Sequence, residues 1–275
     1  MPSIHPTAVV GPDVQLAGDV SVGPYAIIEG KVTIGPGTRV LAHTVVNGST
    51  VIGARCTLGP AAYVGMDPQH LGYKGEETWL VVGDDVVVRE TGTLHRSMKP
   101  GVENATRLGN KVYVMANAHV GHDCRVADSV ILAHGSMLGG HVEIGEKAFL
   151  GGGGGIHQFC RVGRLAIVRG NDSTIKDVPP FAAYSYSGLK GYNAIGVRRS
   201  GMPRESVQAI RKAYTILHAH RNTAIAVAEI ERDVPPAPEV GEILSFIRSS
   251  KRGIALSVRS LYSAMAAGDD GDGDE

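Results

Sequence analysis

The stretch Ile52-Gly53-Ala54-Arg55-Cys56-Thr57-Leu58-Gly59-Pro60-Ala61-Ala62-Tyr63 is two six-residue units laid end to end. Each is led by an aliphatic residue followed by Gly, and each carries a small residue in its fifth place. The same beat runs upstream through Ile34-Gly35, Val22-Gly23 and Val10-Gly11 to Ile4, with Thr44, Thr38, Val32 and Ala26 in the fifth slot, and downstream to about Ser173. A period of six with two apolar slots matches neither the 3.6-residue repeat of a helix nor the alternation of a strand. It suits short strands joined by tight turns and stacked as a parallel β-helix.

Ten units run without a break from Ile4 through Tyr63, three begin at Val82, Val88 and Leu94, and eleven run from Leu108 through Ser173. With three sides per turn, these 24 hexads make eight turns of 18 residues. A residue then lies above the one 18 places earlier, at the roughly 4.8 Å spacing of adjacent strands. Sequence distance becomes spatial distance.

Two segments leave the beat, at about 66–78 and 96–107, and must form surface loops on the coil, where function often concentrates. Beyond Val178-Pro179-Pro180 the pattern turns helical: Glu205 to His220 carries Val207, Ile210, Ala213, Ile216 and Leu217 on one side, and helices are also expected at Ala224–Arg232, Pro238–Ser249 and Ile254–Ala266. The expected organisation is a coil over 1–185, a small helical domain over 186–267 and a disordered tail over 268–275, whose five acids come with no apolar group to bury.

Lys and Arg number 27, as do Asp and Glu, so net charge is zero and gives no electrostatic reason to expect nucleic acid. Cys56, Cys124 and Cys160 all fill the fifth slot of their hexads, which marks them as inward packing residues and agrees with a reducing compartment. Met1-Pro2-Ser3-Ile4-His5-Pro6 has no basic segment leading an apolar core, and no apolar run reaches the roughly 20 residues of a membrane span. A soluble cytoplasmic protein with no membrane span is expected.

Histidines crowd one part of the coil, in Ala118-His119-Val120-Gly121-His122-Asp123-Cys124, Gly140-His141 and His157-Gln158-Phe159-Cys160. The stacking rule sets Gly140 one turn above His122 with His141 beside it. A neutral imidazole can take a proton from a hydroxyl, and a backbone N–H with no side chain in the way can hold an oxyanion. Asp123 could orient a ring. The flat faces of a solenoid offer no cleft, so a loop or a second subunit must supply one, and three-sided coils packed about a threefold axis predict a homotrimer.

Taken with the hexads, these motifs, Pro68-Gln69, Tyr73-Lys74-Gly75-Glu76, Asp177-Val178-Pro179-Pro180 and Arg198-Arg199 closely resemble the acyl-carrier-protein-dependent UDP-N-acetylglucosamine O-acyltransferases that begin lipid A synthesis. The resemblance covers nearly the whole chain. It implies a left-handed β-helix trimer with a C-terminal helical domain, acting on 3-hydroxyacyl carrier protein and UDP-N-acetylglucosamine, with no metal, no cofactor and no acyl-enzyme. It implies that His122 is the general base and Gly140 the oxyanion donor, with His141, His157 and Gln158 on sugar, phosphate or acyl chain and His119 in support. It also implies that Gln69 lies in a substrate-contacting loop, that Gly170 leaves room for a long acyl chain, and that Asn193 and Arg199 hold the nucleotide. Basic residues of the helical domain would receive the acidic carrier protein.

The chain departs from the family pattern at His70 and Gly72, where an acid and a lysine are usual, and at Ile195, Ser200 and Met202 in the nucleotide segment. Acylation on oxygen or on the nitrogen of an amino sugar, including the later N-acyltransferase of the same pathway, therefore stays open. Trimeric hexapeptide carbonic anhydrases, which bind zinc through three histidines of two subunits, are the alternative of a different class. A non-catalytic scaffold is the third.

Overall fold

Short strands of mostly two residues recur every six along the chain and assemble into three parallel sheets of one left-handed β-helix. The structure, a computed structural model, describes residues 1–185 and 188–256. Successive strands go to sheets A, B and C in rotation, and each pairs with the strand one turn away, as in Ser3↔Ser21, Val9↔Ile27 and Gln15↔Thr33. The 18-residue register holds wherever the repeat is uninterrupted. Across the two insertions it lengthens, Tyr63 pairing with Thr93 and Thr93 with His119.

The lead aliphatic residues point inward and close the core: Ile28, Ile34, Leu58, Leu94, Leu132, Leu138, Ile144 and Leu150 are all fully buried. The fifth-slot residues fill the corners. Their hydroxyls are satisfied there, Thr44 Oγ1 donating to the Gly59 carbonyl at 2.6 Å and Thr38 Oγ1 to that of Gly53 at 2.9 Å. Cys56, Cys124 and Cys160 are buried and free, in keeping with packing residues. Corners turn through the left-handed backbone region, which 16 non-glycine residues adopt among the described ones, Asp123, His141 and Phe159 included. Each costs about 1–2 kcal/mol against an ordinary conformation, and the stacked ladders above and below hold it.

Two strands lie beyond the complete hexads. Tyr63–Met66 and Ser173–Thr174 pair in register with Val45–Val46 and Gly155–Ile156, but they run into a loop and into the exit from the coil instead of closing a unit. Ala182–Ser185 then adds to the top of sheet A, and Gly188–Tyr192 folds back antiparallel to it.

Four helices follow among the described residues: α1 (Ala194–Arg199), α2 (Arg204–Ala219), α3 (Thr223–Asp233) and α4 (Pro238–Arg248). The last three match expected helices within a residue at each end, whereas α1 was not expected: it is six residues long and Asn193 caps it. The expected helix at 254–266 is not present at its start. Ile254 pairs with Asp177 instead, the Asp177 N–H donating to the Gly253 carbonyl at 2.9 Å and the Ala255 N–H to the Asp177 carbonyl at 3.1 Å. The rest of that segment, and the expected tail at 268–275, lie outside the described residues. Asp177 also takes the Arg161 guanidinium at 3.1 Å, and that guanidinium lies 4.3 Å over the Phe246 ring, which fixes α4 against the coil. Among the described residues, no helix is long and apolar enough to cross a membrane.

Leu132 sits in the middle of this ladder with no exposed surface. Leu132→Ala is expected to lower stability by about 2–5 kcal/mol, measured by equilibrium denaturation.

Candidate active site

Both insertions leave the coil at one corner, where sheet B passes to sheet C: the first between Tyr63–Met66 and Trp79–Val82, the second between Thr93–His95 and Thr106–Leu108. The corners directly above them carry His122-Asp123, Gly140-His141 and Gln158-Phe159. The chemistry is thus stacked above the loops, in columns set by the register. His122, Gly140 and Gln158 form one column, and Asp123, His141 and Phe159 form the next.

Asp123 organises the corner. Its Oδ2 lies 2.6 Å from His122 Nδ1 and 3.5 Å from His141 Nε2. Both of its oxygens stand 3.2 Å from the Met98 N–H of the second loop, and its own N–H donates to Thr106 Oγ1 at 2.7 Å. A carboxylate only accepts, so His122 Nδ1 carries the hydrogen and Nε2 presents a lone pair. Burial opposes ionisation of Asp123, but the His122 hydrogen bond, the nearby His141 and the Met98 N–H outweigh it and hold the carboxyl below the usual carboxylate range.

Gly140 lies against the His122 ring. A Cβ on Gly140 would stand 2.6 Å from His122 Nε2 and 2.5 Å from its Cε1, so only glycine fits. The Gly140 N–H has no hydrogen-bond partner among the described residues. The rings of His122 and His141 meet edge to face at 5.3 Å, and His141 stacks on Phe159 at 4.5 Å. Burial, together with His122, Lys99 and His70, pushes His141 below the usual imidazole value against the pull of Asp123.

His119 stands on the exposed side of sheet B, its Nδ1 2.8 Å from Thr93 Oγ1 and its ring 5.1 Å from that of His95. Burial, then His95 and His122, lower it to about 4, so it stays neutral near pH 7. His157 and Gln158 are exposed one turn above Gly139 and Gly140. From His119 a shallow trough of about 320 Å³ crosses sheet B along Met137, Gly155, Ile156, His157 and Ile175. Its floor is apolar.

Several residues of this corner lie outside the sequence reading. His95 Nδ1 donates to the Asp67 carbonyl at 2.5 Å, and Thr93, Met98 and Thr106 act through atoms that no motif marks. His70, a departure from the family loop, sets its ring 5.5 Å from that of His122, edge to face. Gln69 is exposed beside it. Arg96, 6% exposed, joins the two loops: its guanidinium reaches the Gly65 carbonyl and Asp67, stands 3.2 Å from Tyr73 Oη and 3.4 Å from Thr78 Oγ1. Gly48 makes room for it, since a Cβ there would overlap the guanidinium.

Three of the expected residues lie elsewhere. Gly170 is at the corner from sheet A to sheet B, against the backbone of Gly152. Asn193 lies by the corner from sheet C to sheet A, and Arg199 follows it on α1. At the corner Asn193 Nδ2 donates to the Leu165 carbonyl at 2.9 Å, and its Oδ1 accepts from the Gly196 N–H at 3.0 Å. Arg199 is exposed in the last turn of α1. The expected site residues therefore fall at two corners of one coil and, through Asn193, beside the third.

His122, Asp123 and His141 place three ligand atoms within 4.8 Å of one another, a set that could face a metal ion. The spacing suits a hydrogen bond better. Two donors on one zinc at about 2.0–2.1 Å each and near-tetrahedral angle stand roughly 3.3 Å apart, whereas Nδ1 and Oδ2 are 2.6 Å apart.

The chain is similar to known proteins over nearly its whole length. Residues 177–255 match the family model for domain 2 of UDP N-acetylglucosamine O-acyltransferase, and residues 105–140 match that of the bacterial transferase hexapeptide (six repeats). The acyl-[acyl-carrier-protein]–UDP-N-acetylglucosamine O-acyltransferase of Thermodesulfovibrio yellowstonii is 38% identical over 257 residues, covering 92% of this chain and 99% of that one. That of Thiobacillus denitrificans is 40% identical with the same coverage. Among solved structures, LpxA from Acinetobacter baumannii is 38% identical with a TM-score of 0.85, over 92% of this chain and 99% of that one. The UDP-N-acetylglucosamine acyltransferase of Bacteroides fragilis is 32% identical with a TM-score of 0.87, over 91% and 98%. In sequence and in fold alike, this chain belongs to the UDP-N-acetylglucosamine O-acyltransferase family.

Proposed function

We propose that the protein transfers a 3-hydroxyacyl chain from acyl carrier protein to the 3-hydroxyl of UDP-N-acetylglucosamine, the first step of lipid A synthesis, in the cytoplasm. The observation that carries the mechanism is the Asp123–His122 hydrogen bond, which leaves Nε2 free, with Gly140 against the same ring. Nε2 takes the proton of the sugar hydroxyl as its oxygen attacks the thioester carbonyl. The Gly140 N–H holds the resulting oxyanion, and Asp123 stabilises the imidazolium that forms. Collapse of the intermediate breaks the carbon–sulfur bond, and the imidazolium returns its proton to the leaving thiolate. The acyl ester and the free carrier thiol result.

A direct transfer is supported by the cysteines. Cys124 is wholly buried and burial pushes its thiol up to about 12, so it is neither ionised nor reachable as a nucleophile. His119, His141, His157 and Gln158 then contact sugar, phosphate or acyl chain, Gln69 approaches from the first loop, and no metal or cofactor takes part. The apolar trough on sheet B, with Met137 52% exposed, receives the long acyl chain.

Where the residues sit supports a homotrimer. His122 and Gly140 lie at one corner, Gly170 at a second and Asn193 beside the third, and one convex coil cannot turn all three toward one substrate. Coils side by side about a threefold axis can, with each crevice shared by two protomers.

Incubation with a panel of 3-hydroxyacyl carrier proteins and with UDP-N-acetylglucosamine or its 3-amino counterpart, followed by mass spectrometry, is expected to show a long chain on the 3-oxygen. An amide product in preference would replace this reading with N-acylation. His122→Ala is expected to lower kcat by about 10²–10⁴-fold with the fold intact by circular dichroism. Mixed refolding of His122→Ala with an inactive Arg199→Ala chain should restore part of the activity through crevices that draw one intact residue from each. The low value of His119 also bears on stability. Its unfolded form binds a proton first as pH falls, so stability present above pH 6.5 is lost between about 6.5 and 4. His95 and His141 act in the same sense. His119→Gln should therefore shallow, without abolishing, the fall of Tm across that range.

A further inference from the structure

His157 has a partner that lies 95 residues away in sequence. After α4 the chain returns to the top of the coil, where Ser250 Oγ donates to Asp177 Oδ2 at 2.8 Å and Ile254 pairs with Asp177. Between these anchors stands Arg252. Its Nη2 lies 3.1 Å from His157 Nδ1 and 3.2 Å from the Ile175 carbonyl oxygen, and its Nε lies 3.3 Å from that same oxygen. The neighbouring Asp177 carboxylate is engaged by Arg161 and Ser250, and Arg252 forms no ion pair among the described residues.

A guanidinium is always charged and only donates. His157 Nδ1 must therefore accept from it, and the ring hydrogen must reside on Nε2. Nδ1 also stands 3.2 Å from the Gln158 carbonyl, a contact that would favour the opposite tautomer. The charge-assisted bond is the stronger of the two. The ring is thus locked as a donor at the open mouth of the trough, next to an unneutralised cation. That combination selects an anionic oxygen.

On the reading given above, we propose that Arg252 is a positioning residue: it fixes His157 as the Nε2–H tautomer so that Nε2 donates to a phosphoryl oxygen of the nucleotide sugar. The proposal depends on the tertiary return of the chain, and neither the hexads nor the histidine motifs contain it.

The test combines kinetics with a spectrum. In Arg252→Met the KM for UDP-N-acetylglucosamine should rise about 10–100-fold, the range of a hydrogen bond to a charged group, with kcat changed far less. Arg252→Lys, which keeps a cationic donor, should recover most of that loss. Arg252→Met combined with His157→Ala should be no worse than His157→Ala alone, because the two act as one unit. An unchanged KM in Arg252→Met, a lysine variant as impaired as the methionine one, or independent multiplication of the two losses would overturn the proposal. In the unliganded protein with ¹⁵N-labelled histidine, Nε2 of His157 should carry the hydrogen in the wild type. A protonated Nδ1 would sink the idea whatever the enzyme acylates, whereas failure to acylate the nucleotide sugar would sink the functional reading and leave that spectrum standing.

Discussion

The register of the coil is the constraint from which the rest follows. Backbone hydrogen bonds run from each short strand to the strand one turn away, so every corner repeats directly over the last, at roughly 4.8 Å. A strand of two residues has almost no stability of its own. It persists because its lead aliphatic residue is buried between two copies of itself, as Leu132 is between Val114 and Leu150. Position in the hexad then decides the fate of a side chain: into the core, onto a flat face, or out from a corner.

The corner positions are where this rigidity becomes chemistry. Asp123 and His141 both adopt the left-handed conformation, and the same backbone geometry one turn apart sets the carboxylate between two imidazoles. Gly140 completes the arrangement by subtraction, since any side chain would occupy the place of the His122 ring. The second loop contributes backbone more than side chain, the Met98 N–H capping Asp123. Arg96 holds that loop to the first one, which brings His70 to the edge of the His122 ring. The loops are therefore part of the site wall, joined by one buried guanidinium and by the His95 contact with the Asp67 carbonyl.

The helical domain does more than end the coil. Tyr214 Oη donates to the Pro180 carbonyl, Arg161 stacks on Phe246, and Arg164 pairs with Glu242 at 2.8 Å, so the coil and the helices share one packed boundary. From that boundary the chain returns to Asp177 and sets Arg252 against His157. In the same region Asn193 serves as a helix cap and a tie to Leu165, which leaves Arg199 the freer of the two residues assigned to the nucleotide.

The coil, its corners and the stacking of Gly140 over His122 were legible from the chain alone, because a six-residue period with a constant register turns distance along the sequence into distance in space. The helices α2, α3 and α4 were legible through their apolar spacing, whereas the short α1 has no such period and depends on the Asn193 cap. What only the tertiary structure decided are the contacts that skip the repeat: Met98 on Asp123, Arg96 between the loops, His70 against His122, Ile254 on Asp177 and Arg252 on His157. The residues implied by resemblance were likewise separable only in three dimensions, onto two corners of the coil and beside the third. Loop closure and chain return are set by long-range packing, and no local periodicity records where such a segment comes to rest.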